Sequence, residues 1–391
     1  MRIGIVVPTF PTGVTSSELW LAYGLARRGH EVVVFATGRT ATRDRAWARA
    51  PGAPAELELP FRIRRISSLS LGYAEGTIPL RLSEVLGETL DVCLLQEDYP
   101  PLCQLVGRAA RRSGVPYIVT CERYGDLEPG FPRAVMAVME RTTLPRLWRD
   151  SAALTFHSRA SQNFFLGKGA PRSSMHFVPS CTKCDMFTPG DGATVPEVET
   201  LWPTDSSIVR VLTVARLHPA KGLDILAEAF ARARAAAPGL RALIHGRGPA
   251  ERTLREAIAR LGLAEVVSLD RSSFALPTLP SLYRSADIYV QPSRAEPFGM
   301  AALEAMACGL PVIASATGGL ADLVEDGGNG ILVPPGDPAA LGLAIARLAA
   351  DPDLRRRMGD ASRARAASSF ELATVAQAYE DLMRSAVARA G

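Results

Sequence analysis

The chain has 391 residues, 47% of them hydrophobic and 21% charged, with 44 basic side chains against 40 acidic ones. That length suits two ordinary domains, and that composition excludes a disordered chain and lets each half build its own core. A net charge of +4 is too balanced for a nucleic-acid binder, so no nucleic-acid partner is expected, whereas a locally positive pocket for a small anion is compatible with it.

The first residues, MRIGIVVPTF, enter a strand pattern at Ile3–Val7 without the basic, apolar and small-residue layout of a secretion signal. No apolar run is long enough to span a bilayer. A soluble, cytoplasmic protein is expected, with its six cysteines as thiols. Leu19, Ala22, Tyr23 and Ala26 recur at helical spacing, and Arg27-Arg28-Gly29 reads as that helix's end. Further strands are expected at Val32–Ala36, Val92–Leu95, Tyr117–Thr120, Leu154–Phe156 and Phe177–Val178. Arg133, Arg141, Arg146 and Arg149 alternate with apolar residues. They read as a solvated helix face or one framing a substrate site, with membrane docking the less favoured alternative. The CTKC segment at 181–184 has the spacing of a metal or redox motif. It lacks a second ligand pair and does not open a helix, so its cysteines read as buried thiols.

Residues 189–207 are rich in Pro, Gly, Asp and Thr and lack periodicity, which marks a linker between a first domain, 1–188, and a second, 208–371. In the second half strands are expected at Val209–Val214, Ala242–His245, Val266–Leu269, Ile288–Gln291, Val312–Ala314 and Ile331–Val333. Leu223, Leu226, Ala227 and Phe230 give the helix after Lys221 its apolar face, and a last helix is expected at 372–391. Short apolar strands alternating with longer helices imply an α/β chain with two parallel sheets.

The most informative stretch is SRAEPFGMAALEAMACGLPVIASATGG, residues 293–319. A strand ends near Gln291, and a helix starts near Phe298, Gly299 and Met300. First-turn amides there have no internal partners and carry the positive end of the helix dipole, which suits an anion or a polyol. Glu296 precedes that helix, and Glu304 lies about one and a half turns inside it. Two carboxylates beside exposed amides suit the hydroxyls of a sugar and a ribose. Arg216 and Lys221, in VARLHPAKGLD, follow an earlier strand and belong to the same rim of strand ends. Two cations there suit a departing diphosphate.

These residues resemble glycosyltransferase family 4. EPFGMAALE is similar to the family's paired-glutamate motif, Arg216 and Lys221 to its diphosphate-binding pair, HGRGP at 245–249 to its Gly-rich turn, and GNGILVPPGDPAAL at 329–342 to its closing strand and loop. The resemblance implies a GT-B fold of two Rossmann-like domains facing each other across a cleft, with the donor in the C-terminal one and the acceptor in the N-terminal one. It implies retaining transfer of a hexose-type sugar from a nucleoside diphosphate to a hydroxyl, by front-face attack and without a metal or other cofactor. By that resemblance Glu296 binds donor-sugar hydroxyls, and Glu304 the ribose. Amides around Phe298, Gly299 and Met300 hold the sugar, Gly246 lines the donor site, and Arg216 and Lys221 neutralise the diphosphate.

The first half departs from the family pattern. Where members carry a Gly-Gly pair after the first strand, this chain has Gly13 followed by Val14, and Gly13 alone is assigned. Where they carry a His after PYIVT, it has Glu122, and where another His is common it has Gln96. A carboxylate at 122 can bind a hydroxyl or amino group of either substrate, or serve as a base for the acceptor. His30, His157, His176, His218 and His245 show no triad-like arrangement, and His245 is read as lining the donor rim. A nicotinamide-dependent oxidoreductase is disfavoured because PTFPTGVTSSE lacks GxGxxG. A catalytically inactive sugar-nucleotide-binding scaffold and a sugar-nucleotide epimerase or hydrolase are the alternatives on the same fold. The acceptor is left as a glycan, a lipid or a small natural product such as an aminocyclitol.

Overall fold

Runs of β-branched and aliphatic residues leave too few polar side chains for a strand face in water, so these strands must be covered on both sides. In the computed structural model they form two parallel sheets sandwiched by helices. The structure describes residues 1–10, 15–37, 58–70, 77–125, 131–190, 195–203, 205, 207–272, 274 and 276–390. They divide into two compact units: the described residues of Met1–Ala48, Glu58–Cys181 and Leu372–Gly391, and those of Thr182–Glu371.

In chain order the first unit contains β1 (Arg2–Val7), α1 (Ser17–Arg27), β2 (Glu31–Thr37), β3 (Arg62–Ile66), β4 (Ser68–Ser70), β5 (Thr77–Pro79), α2 (Ser83–Leu86), β6 (Val92–Gln96), α3 (Pro101–Arg112), β7 (Tyr117–Cys121), α4 (Phe131–Thr142), α5 (Leu144–Asp150), β8 (Ala153–Phe156), α6 (Arg159–Gly167) and β9 (Met175–Phe177). Its main sheet runs β3-β2-β1-β6-β7-β8-β9, with Ile3 of β1 opposite Val32 and Val92, while β4 and β5 make a separate antiparallel pair. Ser16 caps α1 by accepting the Leu19 amide at 3.2 Å. The arginine-bearing stretch 133–149 is two helices rather than one face. Pro145 lacks the N–H that a continuous helix would need, and the chain restarts after Thr143.

The second unit contains α7 (Pro196–Glu199), β10 (Val209–Val214), α8 (Leu223–Ala236), β11 (Leu240–His245), α9 (Glu251–Arg260), β12 (Val267–Asp270), α10 (Leu279–Arg284), β13 (Ile288–Gln291), α11 (Met300–Ala307), β14 (Val312–Ser315), α12 (Leu320–Leu323), β15 (Gly330–Val333), α13 (Pro338–Ala350) and α14 (Pro352–Ser369). Its sheet runs β12-β11-β10-β13-β14-β15. The unit begins at Thr182, earlier than the sequence-based boundary at 188. The Thr182 amide bonds the Phe370 carbonyl at 3.1 Å, the Cys184 amide bonds Glu371 at 3.1 Å, and Arg363 holds the Cys184 and Phe187 carbonyls at 2.9 Å each.

The last helix, α15 (Leu372–Ala390), belongs to the first unit and packs on α1. Gly24 of α1 makes that approach possible: a Cβ there would lie 2.7 Å from Leu372 Cδ1 and 2.9 Å from Ala376 Cβ. Arg28 ties the pair together through Glu380 at 2.5 Å. All six cysteines are buried, and no disulfide is present among the described residues.

Candidate functional site

An open parallel sheet leaves a crevice where its strand order reverses, because loops from two adjacent strand ends turn opposite ways. In the second unit that point lies between β10, which leads outward to β11, and β13, which leads to β14. Arg216 and Lys221 follow β10, and Glu296 follows β13.

A close backbone approach brings the two loops together. Gly222 has φ 62°, and a Cβ on it would meet the Pro292 carbonyl oxygen at 2.0 Å, so only glycine allows this contact. The Arg294 amide bonds the Ala220 carbonyl at 2.8 Å, and the Arg294 guanidinium grips Asp224 with two bonds of 2.7 and 2.6 Å. With the loops pinned, Lys221 Nζ lies 2.7 Å from Glu296 Oε2. The same oxygen accepts from Ser293 Oγ at 3.0 Å and from the Gln291 amide. Glu296 is buried and its orientation is held by three donors. Arg216 is exposed on the β10 loop, and among the described residues its guanidinium has no acidic partner.

Glycine also sets the helix behind Glu296. Gly299 caps α11 at φ 110°, with Leu320 Cδ2 only 2.7 Å from where a Cβ would stand. Phe298 is buried against Phe370 with ring centroids 6.0 Å apart, and Met300 opens the helix. Backbone amides of that first turn have no intrahelical partner. Glu304 is 1% exposed and accepts the Tyr283 hydroxyl at 2.5 Å. Burial, with the Glu304 carboxylate beside it, pushes the Tyr283 hydroxyl well above its ordinary pKa, so it stays a proton donor to Glu304. Gly246 follows β11 at φ 151°, and its amide bonds the Asp270 carbonyl at 2.9 Å. His245 does more than line this rim, because its Nδ1 lies 2.6 Å from Asp270 Oδ2. Burial opposes ionisation of Asp270, but the hydrogen bonds from His245 and Ser272 outweigh it and hold the carboxyl down to about 2.

The first unit has its own crevice point, between β1 and β6. Gly13 lies outside the described residues. Gln96 ends β6, is 2% exposed, and has neither side-chain polar atom hydrogen-bonded among the described residues. The next residue, Glu97, holds φ 72°, a strained conformation for a residue with a Cβ. Glu122 follows β7, and its Oε1 lies 3.2 Å from His157 Nδ1 at the end of β8. His157 Nε2 is 3.3 Å from the Tyr379 hydroxyl of α15, which reaches Thr155 at 3.2 Å. Burial raises the Glu122 pKa, but the hydrogen bond and charge of His157 outweigh it, so the carboxyl titrates below the usual range. Glu18, in the first turn of α1, is shifted the other way by burial and by the Glu122 charge.

A cavity of about 10 Å³, roughly one water in size, is lined by Ser17, Gln96, His157, Ser180 and Tyr379. Behind Glu122, Arg123 is buried between Asp98 at 3.4 Å and Glu140 at 3.0 Å, over the Phe165 ring at 5.1 Å. This network fixes the loop that carries Glu122.

Sequence reasoning passed over His157, Glu18, Gln291, Ser293, Tyr283 and Asp270. The available signal for His157 was its place one residue beyond a predicted strand, Leu154–Phe156, on the rim of strand ends where Glu122 also lies.

The profile of the glycosyl transferases group 1 family matches residues 202–365, and that of the glycosyl transferase 4-like domain matches residues 12–181. The chain is 30% identical over 374 residues to the GDP-mannose-dependent alpha-(1-6)-phosphatidylinositol monomannoside mannosyltransferase of Mycolicibacterium smegmatis, with 92% of each chain aligned. It is 37% identical over 229 residues to the D-inositol 3-phosphate glycosyltransferase of Streptomyces bingchenggensis, covering 55% of this chain and 50% of that protein. Among solved structures, sucrose-phosphate synthase from Thermosynechococcus elongatus superposes with a TM-score of 0.78 at 23% identity over 99% of both chains. The fold is GT-B, and no helix among the described residues is long and apolar enough to cross a membrane. With 92% of its length aligned to a mannosyltransferase at 30% identity and with both halves matched by glycosyltransferase profiles, the chain belongs to glycosyltransferase family 4 and is a glycosyltransferase.

Proposed function

We propose that this enzyme moves a hexose-type sugar from a nucleoside diphosphate to a hydroxyl of a polyhydroxylated ring, with retention at the anomeric carbon. The observation that carries the reading is the Lys221–Glu296 pair at the strand-order reversal of the second unit, beside the first turn of α11. A donor there offers a diphosphate for Lys221 and Arg216 and sugar hydroxyls for Glu296 and for the amides around Phe298, Gly299 and Met300. Glu304, held by Tyr283, is placed for the ribose, and Gly246 lines the same rim. Neutralising the diphosphate favours breaking the bond between C1 and the phosphate oxygen, because charge develops on that oxygen. The acceptor oxygen attacks from the face the diphosphate leaves, and its proton passes to a diphosphate oxygen. The two cations then serve where other transferases use a metal.

On the acceptor side, two relatives bear names that specify inositol-based acceptors, which supports a hydroxylated ring. Glu122, with His157 behind it, stands ready to accept a hydrogen bond from an acceptor hydroxyl and orient it, while the reacting proton goes to the diphosphate. Thermal-shift binding with GDP, UDP and their hexose conjugates, without metal, tests the donor half. Stabilisation by one nucleotide, lost in Lys221→Ala, supports it. A shift that survives Lys221→Ala removes that lysine from the site, and product analysis by NMR settles retention or inversion.

A further inference from the structure

A groove of about 480 Å³ runs between the facing sides of α3 and α5 in the first unit. It is lined by Tyr117, the first residue of β7, whereas Glu122 follows that strand's last residue. The groove is therefore roughly 16 Å from Glu122 at a strand's rise per residue. Its size falls in the range of small-molecule sites.

Charge dominates its lining. Arg108, Arg111 and Arg112 stand at i, i+3 and i+4 of α3, which puts them on one helix face. Arg146 faces them from α5. Arg111 is paired with Asp150, while Arg108, Arg112 and Arg146 have no acidic partner among the described residues. Arg111 and Arg112 also lie at the C-terminal end of α3, where cations complement the helix dipole. That does not account for Arg108, a turn earlier, or for Arg146. A second observation comes from Thr143, which lines the same groove. Its hydroxyl oxygen is buried and lacks a hydrogen-bond partner among the described residues. A buried hydroxyl without a partner costs free energy that a ligand oxygen recovers. Three uncompensated guanidinium groups repel one another until an anion sits among them.

We propose that this groove is a second ligand site, separate from the transfer reaction, that binds a phosphorylated molecule. Guanidinium forks match phosphate oxygens two at a time, and the Thr143 hydroxyl supplies one further polar contact. The phosphate belongs either to a soluble phosphorylated compound or to a lipid headgroup.

The test uses the full chain carrying Lys221→Ala, which weakens phosphate binding in the second unit. Inorganic pyrophosphate is titrated calorimetrically into this protein, into the same protein with Arg108→Gln and Arg146→Gln, and into one with Arg149→Gln as an exposed control on α5. The double variant is expected to bind at least about tenfold more weakly, the control to bind as the parent does, and binding to fall with salt. In parallel, sedimentation with phosphatidylcholine vesicles, with and without phosphatidylglycerol, separates the two sources. Capture that requires phosphatidylglycerol and is lost in the double variant identifies a headgroup. Pyrophosphate binding without capture identifies a soluble ligand. Equal affinity in parent and double variant, an equal loss in the Arg149→Gln control, or no binding in either arm overturns the proposal. Because all three arginines are exposed, the variants are expected to fold, and unchanged donor KM with Lys221 restored confirms it.

Discussion

Replacing Lys221 by Met removes the cation from a buried carboxylate and leaves its other donors in place. The pair is 2.7 Å apart, with 17% of the Lys221 side chain and 8% of the Glu296 side chain exposed. Losing a charge-assisted bond and stranding a buried charge should cost about 2–3 kcal/mol. Glu296→Gln should cost less, about 1 kcal/mol, because Lys221 can swing its ammonium toward water while the amide keeps bonds to its neighbours. The double variant should then be little worse than Glu296→Gln alone, with a coupling of about 2 kcal/mol. Scanning calorimetry that follows unfolding of the second unit is the suitable assay, since two units need not melt together. For a unit of this size a loss of 2–3 kcal/mol lowers Tm by about 4–12 °C. If Lys221→Met lowers Tm as much in the Glu296→Gln background as alone, the two side chains are energetically independent and the reasoning fails. Catalysis should fall in all three variants, because stability and donor binding draw on the same pair.

Four further outcomes follow from the geometry. Tyr283→Phe removes a bond of 2.5 Å to Glu304, and should raise donor KM more than it lowers kcat, by about tenfold; an unchanged KM would exclude Glu304 from donor binding. Asp270 titrates at about 2 in the folded chain against an ordinary 3.8, so its share of stability, roughly 2 kcal/mol, is complete above about pH 4 and lost as pH falls toward 2. Asp270→Asn should flatten that part of the acid-unfolding curve, and an unaltered curve counts against the His245 pairing. Gly222→Ala drives a methyl into the Pro292 carbonyl and should cost about 3 kcal/mol and most of the donor affinity, measured by nucleotide binding and thermal melting. Glu122→Gln keeps the shape but not the charge beside His157, and kcat should drop by about a hundredfold; wild-type turnover would remove the carboxylate from the reaction.

Much of this molecule was legible in its sequence because the signals are local. Strand and helix periods, the Pro- and Gly-rich stretch at 189–207, and the spacing of Glu296 and Glu304 depend only on near neighbours along the chain. The family and fold could be read from the same motifs. Where the strands end was also readable, and with it the rim on which Arg216, Lys221 and Glu296 lie. The pairing of Glu122 with His157 was not, since the 34 intervening residues give no sign of which strand ends become neighbours.

Local composition therefore determined an α/β chain of two sheets and a set of polar residues at strand ends. Tertiary structure alone decided their partners. The β6-β7-β8 order brought His157 to Glu122, the β10-β13 adjacency brought Lys221 to Glu296, and the packing of α3 beside α5 set arginines from two helices around one groove. The physical reason is that a hydrogen bond or ion pair acts over about 3 Å, whereas the choice of which residues come that close is made by burial of the whole apolar sheet.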